Sequence, residues 1–355
     1  MLILARYLLR HGLSASLMSL VVFLGVVGAL FLAELMRDAA QGELPGASVM
    51  LMLALRLPEA LMLVGPLALL TGLLLALGRL QEDSELIVIR SSGLSFGRVL
   101  APVMLLAALW AGLLLAVSGW LSPLAVERSS EILAEAARSA IQAGLRAGQF
   151  DHLNQGRTTV YVSRIDREAE TFHDVFIQHQ EQGFVELLTA REGRLWLDEE
   201  QTGPYLLLRE GHQVQHASNP AAGPLREMRF ARNELRLPPP EPDMSDSEAT
   251  ARLPELWSSG APEERREWHW RLAAPVAAFL LGLLALPLAG RQPRQGRHGS
   301  VVTALVIYLF YSNAVHAGLI LMEQHNRLTG PGLWPVHLAL GVLVLFLLQR
   351  MEKNW

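Results

Sequence analysis

The sequence predicts an α-helical membrane protein with six transmembrane helices and an all-β, jelly-roll-like domain inserted between helices three and four. Three observations predict this fold class. Of the 355 residues, 51% are hydrophobic and 18% are charged, and the apolar residues are concentrated in six runs. A long polar segment with short β-type runs separates the third apolar run from the fourth. The arginines are distributed unevenly among the short loops.

Each of the six apolar runs approaches the length of a membrane span. A helix crosses a bilayer with about 20 predominantly apolar residues. The last run is the shortest, and we expect its helix to extend into the flanking residues. The runs are Leu13–Ala33, Ala60–Gly78, Val99–Leu121, Leu272–Gly290, Val301–Met322 and Leu333–Leu348.

Lysine and arginine counts in the short loops predict the orientation of the spans, because cytoplasmic loops carry an excess of these residues. One side has ten: Arg6, Arg10, Arg79, Arg90, Arg98, Arg291, Arg294, Arg297, Arg350 and Lys353. The other side has three: Arg37, Arg56 and Arg327. Both termini are therefore predicted in the cytoplasm. The large insert is predicted outside, which in a bacterial inner membrane is the periplasm.

The insert reads as a leading helix followed by short strands separated by turn residues. Short strands at this spacing are typical of a sandwich or jelly roll. The predicted domains are residues 1–122, 123–268 and 269–355, with the middle range periplasmic. The candidate strands are Thr158–Ile165, Phe172–Gln180, Phe184–Ala190, Gly193–Asp198, Tyr205–Arg209, His212–Ala217 and Leu225–Ala231.

Several kinds of chemistry are disfavoured. The chain has no cysteine, and its net charge of -4 does not indicate nucleic acid. Lys353 is the only lysine and follows no glycine-rich loop, so a Walker A site is excluded and any ATP must be bound by a partner. The G-x-S-x-G sequence at 93–97 lies in a short loop between spans, where a nucleophile elbow does not form. His212 and His216 would lie about 13 Å apart on one strand, so we predict no metal site.

The loop between the second and third spans, residues 81–93, has an amphipathic helical pattern in which Leu86, Ile87 and Ile89 alternate with charges. A docking helix for a cytoplasmic protein and a plain connecting helix both fit this pattern. Within the spans, Asn313 and His316 are more simply explained as helix-packing groups than as a proton path, because no charged side chain accompanies them.

The whole chain, in order, resembles the LptF/LptG (YjgP/YjgQ) family of lipopolysaccharide export permeases, with the LptF branch favoured over the LptG branch. Each matching fragment is short, and their order along three spans, a β domain and three spans carries the resemblance. The fragments are Arg6-Tyr7-Leu8, Leu57-Pro58-Glu59, Leu77-Gly78-Arg79-Leu80, Ser84-Glu85, Gly93-Leu94-Ser95, Leu133-Ala134-Glu135-Ala136, Gly148-Gln149-Phe150, Trp270-Arg271 and Pro293-Arg294-Gln295-Gly296-Arg297.

The resemblance implies a permease subunit of an ABC transporter in the inner membrane of a Gram-negative bacterium. It implies pairing with an LptG-like paralogous permease, two copies of an LptB-like ATPase that uses ATP, and lipid transfer from the jelly roll to an LptC-like protein. It also implies that the loop at 81–93 is a coupling helix. The residues expected to couple to the ATPase are Glu85, at the acidic position, with Glu82, Arg90 and Gly93.

The anionic head group of lipopolysaccharide suggests cations at the outer mouth of the spans. The candidates are Arg37, Arg56 and Arg327, together with Glu34, which lies one turn before Arg37. Pairing of Glu34 with Arg37 at i,i+3 is the alternative to lipid binding by Arg37.

Three other functions stay open at this point. The first is the LptG-type subunit of the same exporter, which has the same architecture. The second is a membrane scaffold that holds periplasmic partners without transport. The third, a transporter driven by an ion gradient, is disfavoured because the spans contain no charged side chain.

Overall fold

The computed structural model describes residues 2–41, 44–144, 148, 150–153, 158–166, 171–181, 184–197, 204–217, 226–236, 247–258, 261–290, 296–325 and 329–355. These residues form two compact units. One unit is helical and comprises residues 1–35, 50–128 and 246–355. The other contains the β-sheet and comprises residues 36–49 and 129–245.

The helices that contain the apolar runs are long, at 20 residues or more. A 3₁₀ turn at Gly46–Ser48 precedes α2, and a π-helical turn at Val117–Leu121 joins α5 to α6. The helices are α1 (Leu2–Gln41), α2 (Val49–Leu55), α3 (Leu57–Glu82), α4 (Glu85–Ser91), α5 (Phe96–Ala116), α6 (Ser122–Gly144), α7 (Ser247–Thr250), α8 (Leu253–Ser258), α9 (Pro262–Ala289), α10 (Gly296–Gln324) and α11 (Trp334–Lys353).

The prediction of six spans is confirmed. Six helical segments of the described chain are long and apolar enough to cross a membrane, and each matches one predicted run to within one residue of containing it. The sixth extends beyond its apolar run to Lys353, as expected. The six are Ile3–Ala40, Leu57–Glu82, Phe96–Leu133, Pro262–Ala289, Gly299–Gln324 and Trp334–Lys353.

Helices α3, α5 and α9 form the core of the helical unit. In the most apolar stretch of each helix, 78% of α3 and 67% of α9 is buried. The corresponding share is 17% for both α1 and α10. Close packing at the centre depends on small residues: a Cβ at Gly282 of α9 would lie 2.9 Å from both Leu69 of α3 and Ala107 of α5. The outer helices therefore leave most of their apolar surface for lipid or another subunit.

The predicted all-β domain is confirmed as a six-stranded antiparallel sheet in which every strand pairs with its neighbour along the chain. Its buried residues include Val162, Ile177, Leu188 and Leu208. The strands are β1 (Phe150–Leu153), β2 (Thr158–Asp166), β3 (Thr171–Glu181), β4 (Phe184–Leu197), β5 (Pro204–Ala217) and β6 (Arg226–Arg236).

Two of these strands correct the predicted strand boundaries. The predicted strands at 184–190 and 193–198 are one strand, β4, and those at 205–209 and 212–217 are also one strand, β5. The charged residues between the predicted halves do not end the strands. Arg191 and Glu210 lie on a crease, a row across strands β2 to β6 at which one pair of partners is missing although the register is the same on both sides. The row consists of Ser163, Asp174, Arg191, Glu210 and Ala231.

The crease changes which side chains face the core. On β3, Phe172 lies before the crease and Val175 and Ile177 lie after it, yet all three are buried. Strict alternation would put Phe172 on the opposite face from the other two. Asp174 absorbs the shift with a φ of 48°, and Glu210 does the same on β5 with a φ of 51°.

The helical unit includes residues that were predicted to belong to the periplasmic domain. Residues 246–268 contain α7, α8 and the start of α9, and all of them belong to the helical unit. The reason is packing: Leu256 of α8 is fully buried there, and backbone oxygens of the α7–α8 segment accept hydrogen bonds from Arg271 of α9.

Candidate functional site

The loop between α3 and α5 forms a short helix, α4, because two turn residues adopt left-handed backbone conformations. Ser84 has a φ of 57° and separates α3 from α4. Gly93 has a φ of 74° and follows the end of α4, where its N–H donates to the Arg90 oxygen at 3.1 Å. A positive φ after a helix favours glycine, and a Cβ there would meet no neighbour. Backbone conformation therefore accounts for Gly93.

One face of α4 is buried and the other is apolar and exposed. Leu86 is 4% exposed, whereas Ile87 and Val88 are 50% and 63% exposed. Glu82 and Arg90 are also exposed, and Glu85 is half-buried. Ile87 and Val88 thus place a small apolar surface beside charged residues on the exposed side of α4.

Glu85 lies at the start of α4 and accepts a hydrogen bond from α1. The Tyr7 hydroxyl is 2.9 Å from Glu85 Oε2 and 3.2 Å from Oε1. Hydrogen bonds to ionised acceptors are stronger than neutral ones. Glu85 was predicted from the family resemblance, and the periodicity of the loop gave no sign of its contact with Tyr7.

Arg90 lies at the other end of α4 and contacts the residues after α11. Its Nε donates to the Trp355 backbone oxygen at 2.7 Å. The Trp355 indole Nε1 donates to the Leu94 oxygen at 2.8 Å, and its ring packs edge-on against Phe96 with centroids 5.6 Å apart. Trp355 was not among the predicted site residues, and a tryptophan after an apolar helix is the signal that could have indicated it.

The candidate lipid-binding residues occupy different environments. Glu34 pairs with Arg56 across α1 and the turn before α3, with Arg56 Nη1 2.7 Å from Glu34 Oε2. Arg56 also lies over the Phe31 ring, 5.4 Å from its centroid. Arg37 is exposed. Arg327 lies outside the described residues.

A buried cation within α9 was missed as a site residue. Arg271 is 1% exposed and is among the largest fully buried side chains. In the sequence it contributes only to the Trp270-Arg271 fragment of the resemblance. A buried guanidinium is stable only where its donors are satisfied, and Arg271 donates to Glu267 and to the backbone oxygens of Ala249 and Ala251.

Polar side chains of α10 and α11 make local or helix-to-helix hydrogen bonds. Asn313 and His316 bond backbone oxygens one turn earlier on α10, at 2.8 Å each. The Tyr311 hydroxyl of α10 lies 3.0 Å from His337 Nδ1 of α11. Among the described residues there is no group of three potential metal ligands.

Comparisons with known proteins agree with this arrangement of helices, sheet and loop. The family of lipopolysaccharide export system permeases LptF/LptG matches residues 6–350. LptF of Escherichia coli K12 is 29% identical over 324 residues, covering 87% of this chain and 84% of that protein. LptG of the same strain is 25% identical over 168 residues, covering 47% of this chain and 46% of that protein. Because the family match includes both helical halves and the β domain, the chain belongs to the LptF/LptG family of lipopolysaccharide export system permeases.

Proposed function

We propose that this chain is the LptF-type permease subunit of an ABC transporter that lifts lipopolysaccharide out of the inner membrane and passes it towards a periplasmic bridge. The observation that carries the proposal is the family match over residues 6–350, which includes the spans, the loop helix α4 and the β domain. Similarity to LptF extends over 87% of the chain and similarity to LptG over 47%, which supports the LptF branch.

The contacts within the helical unit support the predicted topology. Tyr7 contacts Glu85, and Trp355 contacts Leu94, so the start of α1, the α3–α5 loop and the end of α11 lie at one end of the unit. Arginine-rich loops favour the cytoplasm for this end. Contacts of Glu34 with Arg56, and of His269 with Thr329, join the loops of the other end. That end is periplasmic in our proposal.

An ATPase dimer would dock on α4 from the cytoplasm. Ile87 and Val88 supply exposed apolar contact, and Glu85 supplies a negative charge for a partner arginine. Lys353 is the only lysine in the chain, so the ATP that drives export is bound by this partner. The chain itself carries no cofactor in this proposal.

A paralogous LptG-like permease would cover part of the apolar surface of the outer helices. Both α1 and α10 expose large side chains along their length, including Val22, Leu30, Leu309 and Phe310. A lipid moving between two such subunits stays in apolar surroundings. This matters because each CH₂ group exposed to water costs about 0.8 kcal/mol. The β domain would then pass the lipid to an LptC-like protein.

The test is ATP-dependent release of lipopolysaccharide from liposomes. The chain is co-expressed with its paralogue and a candidate ATPase, purified as a complex and reconstituted with lipopolysaccharide and a soluble acceptor. We expect the three proteins to co-purify and ATP to drive transfer to the acceptor. A stable complex that hydrolyses no ATP and transfers no lipid would favour the scaffold. Transfer that depends on a proton gradient instead of ATP would contradict the exporter.

A further inference from the structure

We propose that α4 is clasped at its two ends by α1 and α11, through Tyr7 on Glu85 and through Trp355 on Arg90, so that movement of α4 is transmitted directly to these two helices. Tyr7, Arg90 and Trp355 are positioning residues in this inference, which rests on the proposed docking of an ATPase at α4. The chain neighbours of α4 are α3 and α5, so neither clasp follows from connectivity.

The clasp at the start of α4 is the bond between Tyr7 and Glu85. These residues are 78 positions apart, and the hydroxyl lies within 3.2 Å of both carboxylate oxygens. A carboxylate accepts at about four lone-pair positions. Glu85 can therefore hold Tyr7 and also accept from an arginine of a docked protein. A docked protein that bonds Glu85 is therefore connected to α1 through one further hydrogen bond, the one from Tyr7.

The clasp at the end of α4 is made by Trp355 in three contacts. Its backbone oxygen accepts from Arg90 Nε at 2.7 Å, its indole N–H donates to the Leu94 oxygen at 2.8 Å, and its ring packs on Phe96. The backbone carbonyl and the indole thus hold residues on either side of Gly93. Arg90, assigned from the resemblance to ATPase coupling, acts in this inference by fixing α4 to α11.

The two clasps link α4 to helices whose apolar surface is mostly uncovered by the rest of this chain. In the most apolar stretch of each helix, 17% of α1 and 22% of α11 is buried, compared with 78% of α3. Helices held by few contacts move at lower energetic cost than those in a close-packed core. Displacement of α4 would therefore be expressed first in α1 and α11, while α3, α5 and α9 remain a fixed core.

The test uses the complete complex with the ATPase and the paralogue and measures three quantities: ATPase recovered on co-purification, ATP hydrolysed, and lipopolysaccharide transferred per ATP. The variants are Tyr7→Phe, which removes one hydroxyl, and Trp355→Ala, which removes the indole. We expect normal ATPase recovery and a fall of roughly tenfold in lipid per ATP, the factor expected for one hydrogen bond to a charged group. Trp355→Phe, which keeps a ring on Phe96, should rescue part of the loss.

A double-mutant cycle distinguishes loss of the Tyr7–Glu85 hydrogen bond from general destabilisation of the protein. Once Glu85→Gln has weakened the acceptor, adding Tyr7→Phe should change lipid per ATP little. Tyr308→Phe is the matched control, because it removes a hydroxyl that bonds the Leu63 oxygen within the spans.

The proposed clasp is wrong if lipid per ATP is unchanged in Tyr7→Phe and Trp355→Ala, or if Tyr308→Phe lowers it equally. Loss of the ATPase from Tyr7→Phe would place Tyr7 in the docking surface and also overturn the positioning role. Failure of the unmodified complex to bind an ATPase would instead contradict the proposed function.

Discussion

Arg271 and Glu267 form an ion pair one helical turn apart on α9, with Arg271 Nε donating to Glu267 Oε1 at 2.7 Å. The arginine end of the pair is buried and the glutamate end is partly exposed, with side-chain exposures of 2% and 25%. The same guanidinium donates from Nη1 to the Ala251 oxygen at 2.6 Å and from Nη2 to the Ala249 oxygen at 2.7 Å. One buried cation therefore fastens the segment that follows the β domain to the fourth span.

Arg271→Ala should detach this segment from α9. The substitution leaves the backbone oxygens of Ala249 and Ala251 without their Arg271 donors, and an acceptor left unsatisfied in a buried place costs about 1–3 kcal/mol. We expect a lower melting temperature in detergent and faster proteolytic cleavage within residues 247–258. Arg265→Ala is the matched control, because Arg265 is an exposed arginine on the same helix. Equal effects of the two substitutions would show that the buried contacts of Arg271 are unimportant.

Glu85→Arg should uncouple ATP hydrolysis from lipid movement. The substitution places a positive charge where the docked ATPase is expected to present an arginine, and like charges at an interface are strongly unfavourable. We expect the ATPase to be depleted from the purified complex and lipopolysaccharide transfer to be lost. Asp83→Arg is the control, since Asp83 is an exposed acid of the same loop that pairs with Arg79 at 3.7 Å. Normal export by Glu85→Arg at normal expression would remove Glu85 from the coupling role.

The proposed topology can be checked with single cysteines, because the chain contains none. Ser92→Cys lies after α4, and Ser258→Cys lies at the end of α8, both at exposed positions. With a maleimide that crosses the outer membrane but not the inner one, we expect labelling of Ser258→Cys in intact cells. Ser92→Cys should label only after the inner membrane is opened. The reverse pattern would invert the orientation of every span.

Gly72→Ala should disturb the crossing of α1 and α3. A Cβ at Gly72 would overlap the backbone of Ser16, with the Ser16 Cα as its nearest neighbour. Small residues at helix crossings in membranes allow this close approach of backbones. Gly78→Ala on the same helix is the control, because a Cβ at Gly78 meets nothing within 4 Å. We expect reduced expression and a lower melting temperature for Gly72→Ala alone, and equal behaviour of the two variants would exclude a tight crossing.

The spans and the inserted β domain could be predicted from the sequence because both depend on local patterns. Uncharged apolar runs must satisfy their backbone groups within a helix, and runs such as Ala60–Gly78 contain no charged residue. Contacts between distant residues could not be predicted in this way. Tyr7 and Glu85 are 78 positions apart, and Arg90 and Trp355 are 265 apart, and no local periodicity reports such pairs.

The crease in the sheet shows why local patterns also misplaced strand ends. The sequence has Arg191-Glu192 and Glu210-Gly211 between apolar runs, and charged residues beside glycine usually indicate a turn. In the structure these residues remain in β4 and β5, and Arg191 Nη1 lies 3.4 Å from Glu210 Oε2 on neighbouring strands. The interruption in the pattern marks the row at which the side chains facing the core change parity, within strands that continue.

Glu210→Gly should stabilise the β-sheet, and Glu210→Val should destabilise it. The Glu210 φ of 51° is in the left-handed region, which costs an L-residue about 1–2 kcal/mol and penalises β-branched residues most. Its ion pair with Arg191 is exposed on both sides, so loss of the carboxylate contributes little. Hydrogen exchange of the β4 and β5 amides in the full-length protein measures the effect. We expect slower exchange in Glu210→Gly and roughly tenfold faster exchange in Glu210→Val.

Glu192→Val is the comparison that isolates the free-energy cost of the left-handed backbone conformation at Glu210. Glu192 is also exposed and charged, and it pairs in regular register with His173 and Arg209. Valine is favourable at such a position, so Glu192→Val should leave exchange unchanged or slow it. Faster exchange in both valine variants would assign the effect to lost charge instead of φ. Faster exchange in Glu210→Val alone would establish that the crease is held by backbone conformation, which shifts the side-chain alternation without ending a strand.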